Sequence, residues 1–332
     1  MLHIWTDFKR DEYERRDDYR EYFAWVDHVQ EVRDRARVEQ LDRTLIDRIA
    51  QRNLDRIWLG IPDRVDWEGI AGFKYRDSGR AEIHPDIHFL QFFALERADI
   101  VLTIEFLKER RHIFLVSHEN DNVVSKWPVY RCIYAEIDYN GQTFLLNNGK
   151  WYRIRADFLE SVDHVFQSLL IDNNELPRYA HNSEEEFNEY VGELSPERFA
   201  VMDRKLVRYP LPTDAVEFCD LYSATRQIIH VKRYRGSATL SHLFSQGIIS
   251  AELFCSSSGF RAAVNELLPV PFRLPDVDEV PERNAFAVVF AIVSQSQHAL
   301  VLPFFSKVNL KNAARYLTAF GFRVSITKIQ SA

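Results

Sequence analysis

The chain has 332 residues, 46% hydrophobic, 27% charged and 13% aromatic, with a formal net charge of −7 at pH 7. This is ordinary globular composition for about two domains, and it excludes collagen, coiled-coil arrays and long disordered tracts. No run approaches the ~20 apolar residues of a membrane helix, and three scattered cysteines (Cys132, Cys219, Cys255) support neither a disulfide framework nor a thiolate zinc site.

The charge is unevenly spread. Residues 201–332 carry 15 Lys+Arg against 10 Asp+Glu, whereas the first 200 carry 27 against 39. That balance argues against a wholly basic DNA-coating protein but leaves room for a nucleic-acid surface on the C-terminal part. The early charged residues (Asp7, Lys9, Arg10) predict no secretory leader, and with no disulfide signal they point to a cytoplasmic protein.

Residues 9–22 mix both signs densely, as on a solvated helix. From Phe23 to about Asn53, Val26, Val29, Val32, Val38, Leu41, Leu45, Ile46 and Ile49 recur at three or four, predicting an amphipathic helix or helical pair. The region from His112 to Ile154 reads as β, with strands at 113–116, 129–139, 143–146 and 151–154. Asn140-Gly141 marks a type I′ hairpin, and Asn147-Asn148-Gly149 a second turn, so a three-stranded meander is expected. A helix should follow over 157–170. The polar stretch 172–183 reads as a junction between a domain over 1–172 and one over 183–332. Ser183 followed by Glu184, Glu185 and Glu186 starts a helix with a capping box.

Beyond it, strands are expected at about 204–209, 215–222, 227–234, 285–294, 299–304 and 322–328, and helices at 238–255, 258–267 and 309–320. The fold class is therefore an α+β N-terminal region with a small β-meander, followed by an α/β domain with a mixed central sheet.

The chemistry is concentrated in 215–222 and 227–234. Two neighbouring strands each hold polar groups in an apolar run: Asp220 near the end of the first, His230 and Lys232 on one face of the second. Burying an acid, an imidazole and an ammonium is costly unless they pair or bind something, so the trio is either a satisfied polar cluster or a site. On the next helix His242 and Gln246 are i,i+4 and share a face suited to phosphate or base contact. Glu185, Glu186 and Glu189 upstream offer carboxylates, with Glu186 taken as the second metal ligand beside Asp220. The basic side chain of Arg233 is placed for phosphate contact, and a solvated strand edge serves it equally well. No P-loop or GxGxxG pattern is present.

Phe218-Cys219-Asp220-Leu221, His230-Val231-Lys232-Arg233, Leu240 to Gly247 and Ser250-Ala251-Glu252-Leu253 resemble the sporadically distributed bacterial DUF6119 family. So do Lys126-Trp127, residues 148–152 and the C-terminal stretch 302–310. The resemblance runs from about Trp25 to the end and implies a setting among mobile elements and defence loci, with a protein partner from the same locus. Residues 183–332 also resemble the PD-(D/E)xK restriction-endonuclease core. That second resemblance implies a nuclease acting on DNA through a divalent metal, Mg²⁺ or Mn²⁺, with Asp220 as metal ligand and Lys232 as catalytic lysine. His230 stands where that pattern has an acid or amide, as a variant ligand or proton shuttle. This departure leaves two readings open: a metal-dependent DNA endonuclease, or an inactive nuclease fold that binds nucleic acid or a protein. No membrane association is expected, and the oligomeric state is left open.

Overall fold

The computed structural model describes residues 28–63, 69–96, 101–118, 122–172, 175–208, 215–234 and 237–332. The helix expected over 9–22 lies outside the described residues. The chain divides into two compact units, 1–161 and 162–332.

In the first unit β1 (Val29–Glu31) precedes α1 (Arg35–Ala50). The periodicity from Phe23 onward therefore does not mark one helix. Asp34 stops β-like backbone and caps α1 by accepting the Arg37 N–H, and Val29 instead pairs with Ile154 in a sheet. The 3–4 spacing holds where α1 does form, with Leu41, Leu45 and Ile49 fully buried. The meander is present as β6 (Ile133–Tyr139), β7 (Gln142–Asn147) and β8 (Lys150–Ile154). With β1 and β2 (Ile57–Leu59) it makes a five-stranded antiparallel sheet in the order β1-β8-β7-β6-β2. Both turns are as the residues dictate: Asn140-Gly141 and Asn148-Gly149 all have positive φ. The strand expected over 129–139 begins later. Pro128 ends β5 (Val123–Pro128), and Val129–Cys132 forms a short helical turn, α3. A second sheet joins β3 (Ile70–Lys74), β4 (His112–Ser117) and β5, with α2 (Phe89–Ala94) between β3 and β4 in sequence.

After α4 (Ala156–Leu169), the second unit is built on a six-stranded mixed sheet. Its strands are β9 (Leu170–Ile171), β10 (Phe199–Val201), β13 (Leu221–Ser223), β14 (Gln227–Arg233), β15 (Ala287–Ser294) and β16 (Arg323–Gln330), in the order β10-β13-β14-β15-β16-β9. The β10–β13 and β13–β14 pairs are antiparallel, the rest parallel. β11 (Leu206–Arg208) and β12 (Ala215–Glu217) form a separate ribbon. The parallel pairs are linked through helices, α6 (Ser237–Ser256) and α7 (Ser258–Leu267) before β15 and α8 (Phe304–Ala319) before β16, as parallel neighbours require.

Alternation on β14 divides the core. Ile228 packs with Leu243, Phe244 and Phe290, while Ile229 and Val231 pack with Phe187 and Val191 of α5 (Glu184–Leu194). At Gly247 α6 comes so near β15 that a Cβ would lie 2.6 Å from the Phe290 ring, an approach only glycine permits.

Two expectations are corrected. Residues 299–304 form no strand: Leu300 and Leu302 are buried, but Pro303 offers no ladder N–H and leads straight into α8, which starts five residues before the expected 309. The strand expected over 215–222 is broken at 218–220, because Glu217 belongs to the ribbon and Leu221 to the main sheet. Asp220 sits in that break. No described helix is long and apolar enough to cross a membrane.

Candidate metal centre

The break gives Asp220 its surroundings. β13 leaves β14 at Asp220, whose own N–H still bonds the Ile229 carbonyl. Two residues further on, the Val231 N–H no longer faces β13 and donates to Asp220 Oδ2 at 2.6 Å. The Arg233 N–H donates in the same way to Glu184 Oε1 at 2.9 Å. Two carboxylates thus occupy the ladder positions a longer β13 would fill, satisfying donors that would otherwise be orphaned.

The turn at 202–205 docks on the same corner. The Met202 and Asp203 N–H groups both donate to the Asp220 carbonyl, at 2.8 and 3.0 Å. Arg204, in the left-handed region, donates its N–H to Glu217 Oε1 at 2.6 Å. The result is one group of three partly buried acids, Asp203, Glu217 and Asp220, with a carboxylate oxygen from each lying within 4.8 Å of the others. Asn188 of α5, fully buried, donates Nδ2–H to Asp203 Oδ2 at 2.8 Å.

Electrostatics at this corner are unfavourable to ionisation. Burial pushes the Asp220 carboxyl well above the usual range, Glu217 and Asp203 push it further, and the Val231 N–H and Lys232 oppose the shift. Glu217 is raised by burial and by Asp203, against the Arg204 N–H and Lys232. Carboxylates crowded in this way hold protons or bind a cation.

Of the residues the sequence singled out, Asp220 and Lys232 stay in electrostatic reach of each other, while His230 does not join them. Lys232 Nζ lies 2.7 Å from Glu184 Oε2, a part-exposed ion pair at the end of β14. His230 is on the α6 side, 2% exposed, with Nε2 3.3 Å from Ser250 Oγ and its ring stacked on Phe290 at 6.2 Å between centroids. Burial lowers its pKa to about 4. It is a neutral core histidine, and neither a ligand nor a proton shuttle follows from that position.

Glu186 stands outside the acidic group. Its N–H donates to Ser183 Oγ, and its carboxylate accepts the N–H of Asn182, one residue before the cap, at 3.0 Å, so it is spent on the helix start in a variant of the capping box. Arg233 is held by its guanidinium bond to the Asn182 carbonyl at 3.1 Å, over the Tyr179 ring. His242 is exposed and Gln246 half-buried on α6, and neither side chain makes a hydrogen bond among the described residues.

Asp203, Glu217 and Asn188 were not singled out from the sequence. Glu217, three residues before Asp220, was visible in the segment. Asp203 and Asn188 are brought in from 17 and 32 residues upstream by the fold and carry no local signal.

No curated relative and no solved structure matches the chain. The model of a family described as "Family of unknown function (DUF6119)" matches residues 9–330, nearly the whole length. The chain therefore belongs to the DUF6119 family.

Proposed function

We propose that the second unit is a divalent-cation-dependent nuclease acting on DNA, with Asp203, Glu217 and Asp220 holding the cation and Lys232 contacting the scissile phosphate. The observation that carries this reading is the convergence of three carboxylates at the corner where β13 parts from β14, with Lys232 on the adjoining strand. Element order supports it: α5, three antiparallel strands β10, β13 and β14, then α6 and a parallel strand β15 resemble the arrangement of a restriction-endonuclease core.

The donor set fits the group. It is all oxygen, as Mg²⁺ and Mn²⁺ prefer, and the imidazole of His230, a donor better suited to transition metals, lies outside it. A bound cation supplies Lewis acidity toward the phosphate and activation of water. Asp220 and Glu217 would act as ligands only when ionised. Lys232 would exchange its Glu184 partner for a phosphate oxygen, bringing positive charge to where negative charge develops. The basic excess over 201–332 favours a polyanionic substrate, and the mobile-element setting implied by the family resemblance makes foreign DNA the substrate class.

A second reading, a nuclease fold that binds without cutting, is favoured by one observation: Lys232 is already paired with Glu184. Incubation of supercoiled plasmid with the full chain in Mg²⁺ or Mn²⁺, against a chelator control, separates the two. The enzyme reading expects nicking that falls at least about 100-fold in Asp220→Ala and Lys232→Ala. Salt-dependent retention of DNA without turnover supports the binding module, and cutting that persists in both variants removes the site assignment.

A further inference from the structure

The acidic corner holds one more polar group. Asn188 follows Glu184 by four residues on α5, so both stand on the face turned to the end of β14. Glu184 reaches Lys232 and the Arg233 N–H, while Asn188 reaches Asp203. Asn188 is 0% exposed, yet its Oδ1 has no hydrogen-bond partner among the described residues.

A buried amide oxygen without a donor is costly and rare. Rotating the amide does not relieve it, because that would turn the oxygen toward the Asp203 carboxylate and lose the N–H···O bond. The oxygen shares a carbon with the nitrogen that bonds Asp203, so it stays within one amide group of that carboxylate and out of reach of solvent. A leucine would fill the same space without this cost. What an unpartnered carbonyl oxygen and three crowded carboxylates have in common is affinity for a hard cation.

We propose that Asn188 completes the cation site, its side-chain oxygen serving as a fourth and uncharged donor beside Asp203, Glu217 and Asp220. The site is then an all-oxygen centre for Mg²⁺ or Mn²⁺, spanning α5, the 202–205 turn, the end of β12 and the break before β13. This rests on the reading that the acidic group holds a cation, and it is independent of whether DNA is cut.

The test is titration of the full chain with Mn²⁺ alone, read by the paramagnetic signal of the free ion. Asn188→Leu keeps the volume and removes the oxygen; Asn188→Asp keeps the oxygen and removes the N–H donor to Asp203. The wild type should bind one ion at this site. Asn188→Leu should bind at least about ten-fold more weakly, and Asn188→Asp should stay within about three-fold of wild type or bind more tightly. A leucine variant weakened less than that overturns the assignment. An aspartate variant weaker than that also overturns it, because Asn188 would then act only through its N–H. Circular dichroism without metal checks folding, and if the leucine variant does not fold the aspartate variant decides. Mn²⁺ binding without DNA cleavage refutes the nuclease and leaves this site standing, whereas no Mn²⁺ binding by the wild type refutes the site itself.

Discussion

Each unit buries an aspartate, and the two are treated in opposite ways. Asp42 on α1, 6% exposed, accepts from the Tyr130 hydroxyl at 2.6 Å and Trp151 Nε1 at 2.8 Å, with Lys108 Nζ at 3.3 Å. Every oxygen faces a donor. Asp220 has one donor on Oδ2 and two further acids for neighbours. The first arrangement is what a core does with a charge it must keep. The second stores repulsion, which a fold retains where something outside the protein relieves it. Comparing how neighbours are disposed therefore separates a structural acid from a candidate ligand better than burial does.

The contrast can be broken by substitution. Asp42→Leu should be the most damaging change, because it strands the buried Tyr130 hydroxyl and Trp151 N–H and removes the acid that faces the part-exposed Lys108 ammonium. A loss of about 3–5 kcal/mol in urea unfolding is expected, and a loss below ~1 kcal/mol would show that those bonds are dispensable. Added Mn²⁺ should then stabilise the wild type, by about 2.7 kcal/mol at a hundred times its dissociation constant, and should leave Asp220→Asn unmoved.

Without metal, Asp220→Asn should be the more stable protein. Asparagine still accepts the Val231 N–H while removing one charge from the cluster, and a gain of about 1 kcal/mol, or a few degrees in Tm, is expected near pH 8. The sign follows from the raised carboxyls of Asp220 and Glu217. Their contribution is fully present below the ordinary carboxylate range and is lost as pH rises through their elevated folded values. A destabilised Asp220→Asn at pH 8 would mean that the acids are not in conflict.

His230 gives the smallest effect and the opposite slope. Its pKa falls from 6.5 to about 4 on folding, so its contribution is intact above 6.5 and is lost as pH drops toward 4. His230→Phe should flatten that part of the stability curve relative to wild type and leave Mn²⁺ binding intact; loss of Mn²⁺ binding would return the imidazole to the site.

Much of the scaffold was legible in local sequence because local physics fixes it. The two Asn-Gly turns, the Ser183 cap and the unbroken apolar run of β15 each contain their own instruction. The site was half legible. Asp220 and Lys232 stand out as polar residues in apolar strands, and period 2 put His230 on the same face as Lys232. Alternation could not show that Lys232, at the strand end, bends to Glu184 while His230 is covered by α6. Nor could it show the break at 218–220, which arises because two sheets compete for one stretch of chain. Asp203 and Asn188 reach the corner only through that tertiary arrangement.

The most direct measurement is anomalous diffraction from crystals of the full chain soaked in Mn²⁺. The account predicts one strong peak bounded by carboxylate oxygens of Asp203, Glu217 and Asp220, absent in Asp220→Asn crystals treated alike. Bound Mn²⁺ elsewhere, with those three carboxylates closed on one another by shared protons, would contradict it.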